Sequence, residues 1–93
     1  MSASEISIVR RILAFLNSLD ETHARKTHGG RYATGWPDVV GAHRGRFLAL
    51  EVKRPGGKPT PLQVRELDRW RRAGAIAAVV TSVDEVRALL DAD

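Results

Sequence analysis

The chain has 93 residues, 43% of them hydrophobic and 28% charged, and no cysteine. That is the length of one domain with an ordinary apolar share, which argues against disorder and excludes disulfides and thiolate-held zinc. Fifteen Lys and Arg against 11 Asp and Glu leave a net charge of +4, and 12 of the 15 bases are arginine. The planar guanidinium suits phosphate, so the balance favours a polyanionic partner, although a GC-rich genome alone also raises the arginine count.

Residues 5–19 read as a helix. Ile6, Val9, Leu13 and Leu16 recur at helical spacing, and Ile8, Ile12, Phe15 and Leu19 widen the stripe. Ser2 or Ser4 is placed to cap it. Glu5, Arg10 and Arg11 interrupt the apolar residues, and no run approaches the ~18 needed for a membrane span. Neither a span nor a signal peptide is therefore expected, and the lack of cysteine fits a reducing, cytoplasmic setting. Residues 20–34 look polar and irregular, with a turn at His28-Gly29-Gly30 and a short strand near Arg31–Thr34.

Val39 and Val40 after Pro37 begin a strand expected to end near Gly41, followed by a hairpin turn at His43-Arg44-Gly45. Arg46–Lys53 is the clearest strand. Its alternation places Leu48, Leu50 and Val52 on one face and Phe47, Ala49, Glu51 and Lys53 on the other. The stretch "RPGGKPTP" cannot continue it. Thr60 then caps a helix with Pro61 at its first position, running to about Ala73 and stopping at Gly74. Ala75–Thr81 is an apolar run of the kind buried on both faces of a sheet. Ser82-Val83-Asp84-Glu85 opens a last helix as a capping box, with Val86, Leu89 and Leu90 facing inward. The expected fold is α/β: a central mixed sheet of three or four strands flanked by helices, in the order α-β-β-β-α-β-α.

Glu51 and Lys53 reach the same side of the sheet, roughly 6.5–7 Å apart along the strand. If the strand at 38–41 pairs across the turn, Asp38 comes near Glu51. Two carboxylates that close repel unless something positive lies between them, and a divalent cation such as Mg²⁺ or Mn²⁺ is the natural occupant. Such an ion assists phosphodiester hydrolysis, and an adjacent ammonium helps orient water or neutralise the transition state. Taken alone, Glu51 and Lys53 are better read as a solvated pair on a half-exposed strand, a common arrangement that stabilises little.

Three features accompany that pair: an aspartate after Gly-Trp-Pro 13 residues upstream, a Gly/Pro turn leading into a capped helix, and a basic surface. Together they resemble the PD-(D/E)xK nuclease superfamily, with Pro37-Asp38 and Glu51-Val52-Lys53. Closer still is the VRR-NUC family of virus-type replication–repair nucleases. The matching core is "GWPDVVG", "FLALEVKRPGGKPTPLQ" and "AGAIAAVVTSVDEV", about residues 35–86. The spacing E-V-K-x-P-x-G-K-x-T-x-x-Q after G-x-P-D is the specific part. The resemblance implies a restriction-endonuclease-like core over residues 1–93. It assigns metal binding to Asp38, Glu51 and the main chain of Val52, and water positioning to Lys53. It adds Gln63 and Glu5 to the site. Both have a competing explanation, because Thr60–Gln63 and Ser2–Glu5 also fit capping boxes.

Arg65, Arg69 and Arg72 line one face of the second helix. That stripe suits a phosphate backbone, or is simply the wet face of the helix. Lys58 beside the proposed site, and less directly Lys26, Arg31 and Arg44, are further candidates for DNA contact. The three histidines lack ligand spacing, no phosphate-binding Gly-rich loop is present, and Trp36 and Trp70 suit core or interface better than base stacking. The expected activity is that of a metal-dependent DNA endonuclease. A homodimer cutting four-way (Holliday) junctions is favoured, because two symmetric sites match two equivalent strands and the apolar spread of the first helix offers an interface. The alternatives are a flap or nonspecific nuclease with the same site, and a DNA-binding module without catalysis.

Overall fold

The computed structural model describes residues 4–28 and 35–93. Its elements are α1 (Glu5–Asn17), β1 (Thr22–Lys26), β2 (Val39–His43), β3 (Arg46–Val52), α2 (Pro61–Arg72), β4 (Ile76–Val80) and α3 (Val83–Asp91). This is the expected order. The four strands form one sheet, β1-β2-β3-β4, antiparallel as far as β3 and parallel between β3 and β4, where α2 makes the crossover. Among the described residues no helix is long and apolar enough to cross a membrane.

The alternation in β3 builds two cores. Leu48, Leu50 and Val52 meet Ile8, Val9, Ile12 and Leu16 of α1, together with Ile76, Val80 and Val86. On the opposite face Ala49 packs with Leu67 and Ala77, bordered by Phe47, Trp70 and Val79. Helix α1 thus spends its apolar stripe on its own sheet and leaves only Ile6, 60% exposed, outside the core among its large apolar side chains. The subunit interface expected on that stripe is largely consumed by intramolecular packing. Helix α2 rests on β3 and β4, so among the described residues no helix covers the β1–β2 half of its side of the sheet.

Two boundaries differ from expectation. The segment read as irregular contains β1, and Gly41 does not end β2. Strand β1 buries a single residue, Ala24, so it carries no apolar alternation to recognise. It is fastened by other means: the Asn17 side chain accepts a hydrogen bond from the Ala24 N–H at 2.9 Å and donates to its carbonyl at 3.0 Å. Gly41 is a point of close approach, since a Cβ there would lie 2.2 Å from the His23 carbonyl oxygen. The β2–β3 turn is the expected hairpin, with positive φ at both Arg44 (49°) and Gly45 (85°). The short strand expected at Arg31–Thr34 lies outside the described residues.

The caps explain the helix starts. Ser4 Oγ accepts from the Ser7 N–H at 3.1 Å, so Glu5 occupies the first helical position and is not the third-position partner of a Ser2 box. At α2 the Thr60–Gln63 box is complete. At α3 only half of it forms: Ser82 Oγ accepts from the Glu85 N–H, while the Glu85 carboxylate turns to Thr81.

Candidate active site

The antiparallel register pairs Val39 with Leu50. One step further along, Asp38 stands beside Glu51 at the end of the sheet, on the α2 side. Asp38 is held from two directions. Its Oδ2 accepts the Val52 N–H at 2.8 Å. Its own carbonyl accepts the Thr27 N–H at 2.9 Å, while Thr27 Oγ1 donates to the Pro37 carbonyl at 2.7 Å. Within a strand the N–H and C=O of one residue point to the same side, so the Val52 carbonyl faces the edge occupied by Asp38.

Glu51 is 2% exposed and is the one buried charged side chain among the described residues. Its Oε1 accepts from Gln63 Nε2 at 3.0 Å and lies 3.8 Å from Lys53 Nζ. Burial raises its pKa from 4.5 to about 8, reinforced by a hydrogen bond with Asp38 and by the negative charges of Asp38 and Glu5; Lys53 opposes the shift. A carboxyl so placed shares a proton with Asp38 or needs a cation.

Gln63 makes both the cap contact and a contact with Glu51. Its Oε1 accepts the Thr60 N–H at 2.8 Å, completing the cap, while its Nε2 donates to Glu51. The start of α2 and the carboxylate of β3 are therefore tied through one amide. Glu5, exposed at the start of α1, lines a cavity of about 440 Å³ with Lys53, Arg54, Pro55, Gly56, Gly57 and Lys58. It is near enough to act on Glu51 electrostatically.

The remaining basic candidates do not gather at one place. Lys58 shares the cavity with Lys53. Arg69 is paired with Glu66 at 3.4 Å and Arg72 with Asp68 at 2.7 Å, so part of the arginine stripe is neutralised by acids of its own helix. Arg65 is exposed and borders a separate groove beside Val64 and Val79. Lys26 follows Ala24 by two residues and so shares its face of β1, on the α1 side, away from the carboxylates. Arg44 sits in the hairpin at the opposite end of β2 from Asp38, roughly 20 Å along the strand. Arg31 lies outside the described residues. Thr27, which clamps Pro37-Asp38, carries no sequence signal. Arg25, which the sequence reading does not single out, is placed by alternation within β1 on the carboxylate side of the sheet.

The donor set suits a hard divalent cation. Two carboxylates and a backbone carbonyl are all oxygen, and one carboxylate is buried at a raised pKa. Among the described residues no three His, Cys, Asp or Glu side chains converge as a ligand set. A bound ion would therefore draw its remaining ligands from water and substrate phosphate, as Mg²⁺ commonly does.

A mixed four-stranded sheet between helices, its third strand ending in a buried carboxyl beside a lysine, is a small α/β nuclease core. No protein-family model matches the chain, and none of the curated proteins does. Among solved structures, one described as a VRR_NUC domain superposes with a TM-score of 0.75 at 31% identity, covering 96% of this chain and 97% of that one. A second, a "VRR_NUC domain protein", has a TM-score of 0.78 over 98% of this chain and 88% of that one. At 15% identity the second concerns the fold alone. The chain belongs to the VRR-NUC family and is a nuclease domain of it.

Proposed function

We propose that this nuclease domain is a PD-(D/E)xK-type, Mg²⁺- or Mn²⁺-dependent endonuclease of branched DNA, acting as a homodimer on four-way junctions. The observation that carries the chemistry is the meeting of Asp38 and Glu51 with Lys53 Nζ 3.8 Å from the glutamate. Asp38, Glu51 and the Val52 carbonyl would hold the cation, which supplies Lewis acidity to the scissile phosphate. Lys53 would orient the attacking water and stabilise charge developing on phosphorus. Gln63 fixes the rotamer of Glu51, so that carboxyl is in place before substrate arrives. Lys58 and Glu5 border the cavity beside it, where the lysine would contact phosphate.

The dimer rests on symmetry: a four-way junction offers two equivalent strands, and one 93-residue domain offers one such site. The test is cleavage of labelled four-way junction, flap and linear duplex with Mg²⁺, Mn²⁺ or EDTA, with Asp38→Ala and Lys53→Ala as controls. Paired symmetric cuts in the junction, abolished by EDTA and by either substitution, are expected. Preference for the flap with asymmetric cutting would replace the junction assignment. Binding without any cutting would overturn the catalytic one. Sedimentation of the free protein and of its junction complex reads the stoichiometry.

A further inference from the structure

Trp36 is 49% exposed, two residues before Asp38. A large aromatic side chain left half in solvent is notable in so small a domain, whose thin core has few large side chains to draw on. Pro37 between them is fully buried, so the chain turns the indole and the carboxylate outward while anchoring the residue that joins them. The indole lies on the α2 side of the sheet, its centroid 6.1 Å from that of Trp70, which in turn stacks 4.7 Å from Phe47. Trp70 thus flanks the ring at a tilt of 51°, while about half of Trp36 stays accessible.

Two residues of extended chain span at most about 7 Å, close to the distance between neighbouring nucleotides of an extended single strand. Away from α2, strand β1 presents Arg25, which pairs in register with Val40, two residues beyond Asp38. Arg25 is exposed on the same face as the carboxylates. Along the chain and in register, Asp38 therefore lies between Trp36, two residues before it, and the Val40 position that pairs with Arg25, two residues after it.

We propose that Trp36 is a stacking platform for an unpaired base next to the scissile phosphate, with Arg25 holding a neighbouring phosphate of the same strand. This rests on the nuclease reading of Asp38 and Glu51 and sharpens its substrate. Stacking on an indole requires a base free of its own neighbours, which a branch point or a single strand offers and a continuous duplex does not. Arg25 adds the sequence-independent phosphate contact that keeps the strand in register.

The test uses the full chain in EDTA, so that binding is read without cleavage, with a 12-nucleotide oligothymidine and a blunt hairpin duplex as probes. The single strand quenches tryptophan fluorescence and the duplex does not. Trp36→Phe, which keeps a ring, loses the quench but binds the single strand within about threefold of wild type by anisotropy, whereas Trp36→Ala weakens it about tenfold. Duplex binding changes less than twofold in both. Arg25→Gln lowers the salt dependence of single-strand binding by about one unit of log–log slope. Equal quenching by duplex, or unchanged single-strand affinity in Trp36→Ala at an unchanged melting temperature, overturns the proposal. Cleavage with Mg²⁺ separates the two readings. Quenching without any cutting by wild type counts for the platform and against the endonuclease. Cutting with no contribution from Trp36 does the reverse.

Discussion

The burial of Glu51 makes a quantitative demand on stability. Its carboxyl is raised from 4.5 to about 8, chiefly by burial and then by Asp38. Below about pH 4.5 it is protonated in both folded and unfolded chains and adds no penalty. Between pH 4.5 and 8 the unfolded chain releases the proton and the folded chain keeps it, so stability falls as pH rises; above about pH 8 the loss is complete. At ~1.36 kcal/mol per unit the ceiling is about 5 kcal/mol. Solvent at the rim of the site reduces it, and about 2–4 kcal/mol is the working figure. A domain of this length holds on the order of 5–14 kcal/mol in total, so the effect is large. Thermal melts in EDTA from pH 4.5 to 9 should show it as a decline of about 10 °C or more in Tm. Glu51→Gln keeps an acceptor for Gln63 but cannot ionise. It should flatten the decline and be the more stable protein at pH 8.5. Mg²⁺ should restore the wild type at that pH, by about 2.7 kcal/mol at a hundredfold excess over Kd, and leave the variant unmoved. Parallel pH curves for the two proteins would refute the placement of this carboxyl in a desolvated, charge-shared site.

Three other substitutions probe separate parts of the argument. Lys53→Met keeps the stem of the side chain and removes the ammonium; cleavage of junction DNA should fall at least about a hundredfold with binding nearly unchanged, read by single-turnover kinetics. Gln63→Leu removes both the Thr60 contact and the Glu51 contact, so it should cost about 1 kcal/mol by urea unfolding and also lower kcat, whereas a residue that only caps would change stability alone. Gly41→Ala drives a methyl group into the His23 carbonyl and should destabilise the fold by about 3 kcal/mol in the same assay, releasing β1 first in hydrogen exchange.

Where the chain places one apolar residue in every two, or one in every three or four, the structure follows the pattern closely. Strand β3 is the clearest case. Its two faces, Leu48/Leu50/Val52 and Phe47/Ala49, enter two different cores, and the hairpin before it and the Thr60 cap after it stand where their turn chemistry puts them. Strand β1 was illegible because it is held by pairing and by the Asn17 amide rather than by burial of alternate side chains. Gly41 misled for a related reason. Glycine marks both the end of a strand and a place where another strand comes close, and only the neighbour distinguishes the two. At the site, Asp38, Glu51 and Lys53 were legible as a motif. That Glu51 would be almost fully buried, and that Gln63 would both cap and contact it, depended on the docking of α2, which no local pattern specifies. The arginine stripe was visible, but its pairing with Glu66 and Asp68 at i,i+3 and i,i+4 reduces what it offers to DNA.

The cost of Glu51 and the double duty of Gln63 belong to one arrangement. A small domain with a thin core gains nothing in stability from an acid buried beside another acid. Replacing such a group by an apolar one of similar size is commonly neutral or stabilising. The fold nevertheless surrounds this acid on three sides: Asp38 is pinned by Val52 and Thr27, Lys53 continues the β3–β4 ladder through its N–H to the Val80 carbonyl, and Gln63 is locked by its own helix cap. Each of those contacts is made by backbone groups that the sheet or helix must satisfy in any case. The side chains around Glu51 are therefore oriented by secondary structure, and little freedom remains to be lost when a cation and a phosphate arrive. If the site takes a divalent cation as proposed, stability given up by the metal-free protein would reappear as affinity for the ion, because a site that repels itself when empty binds a positive charge more strongly than one already at rest.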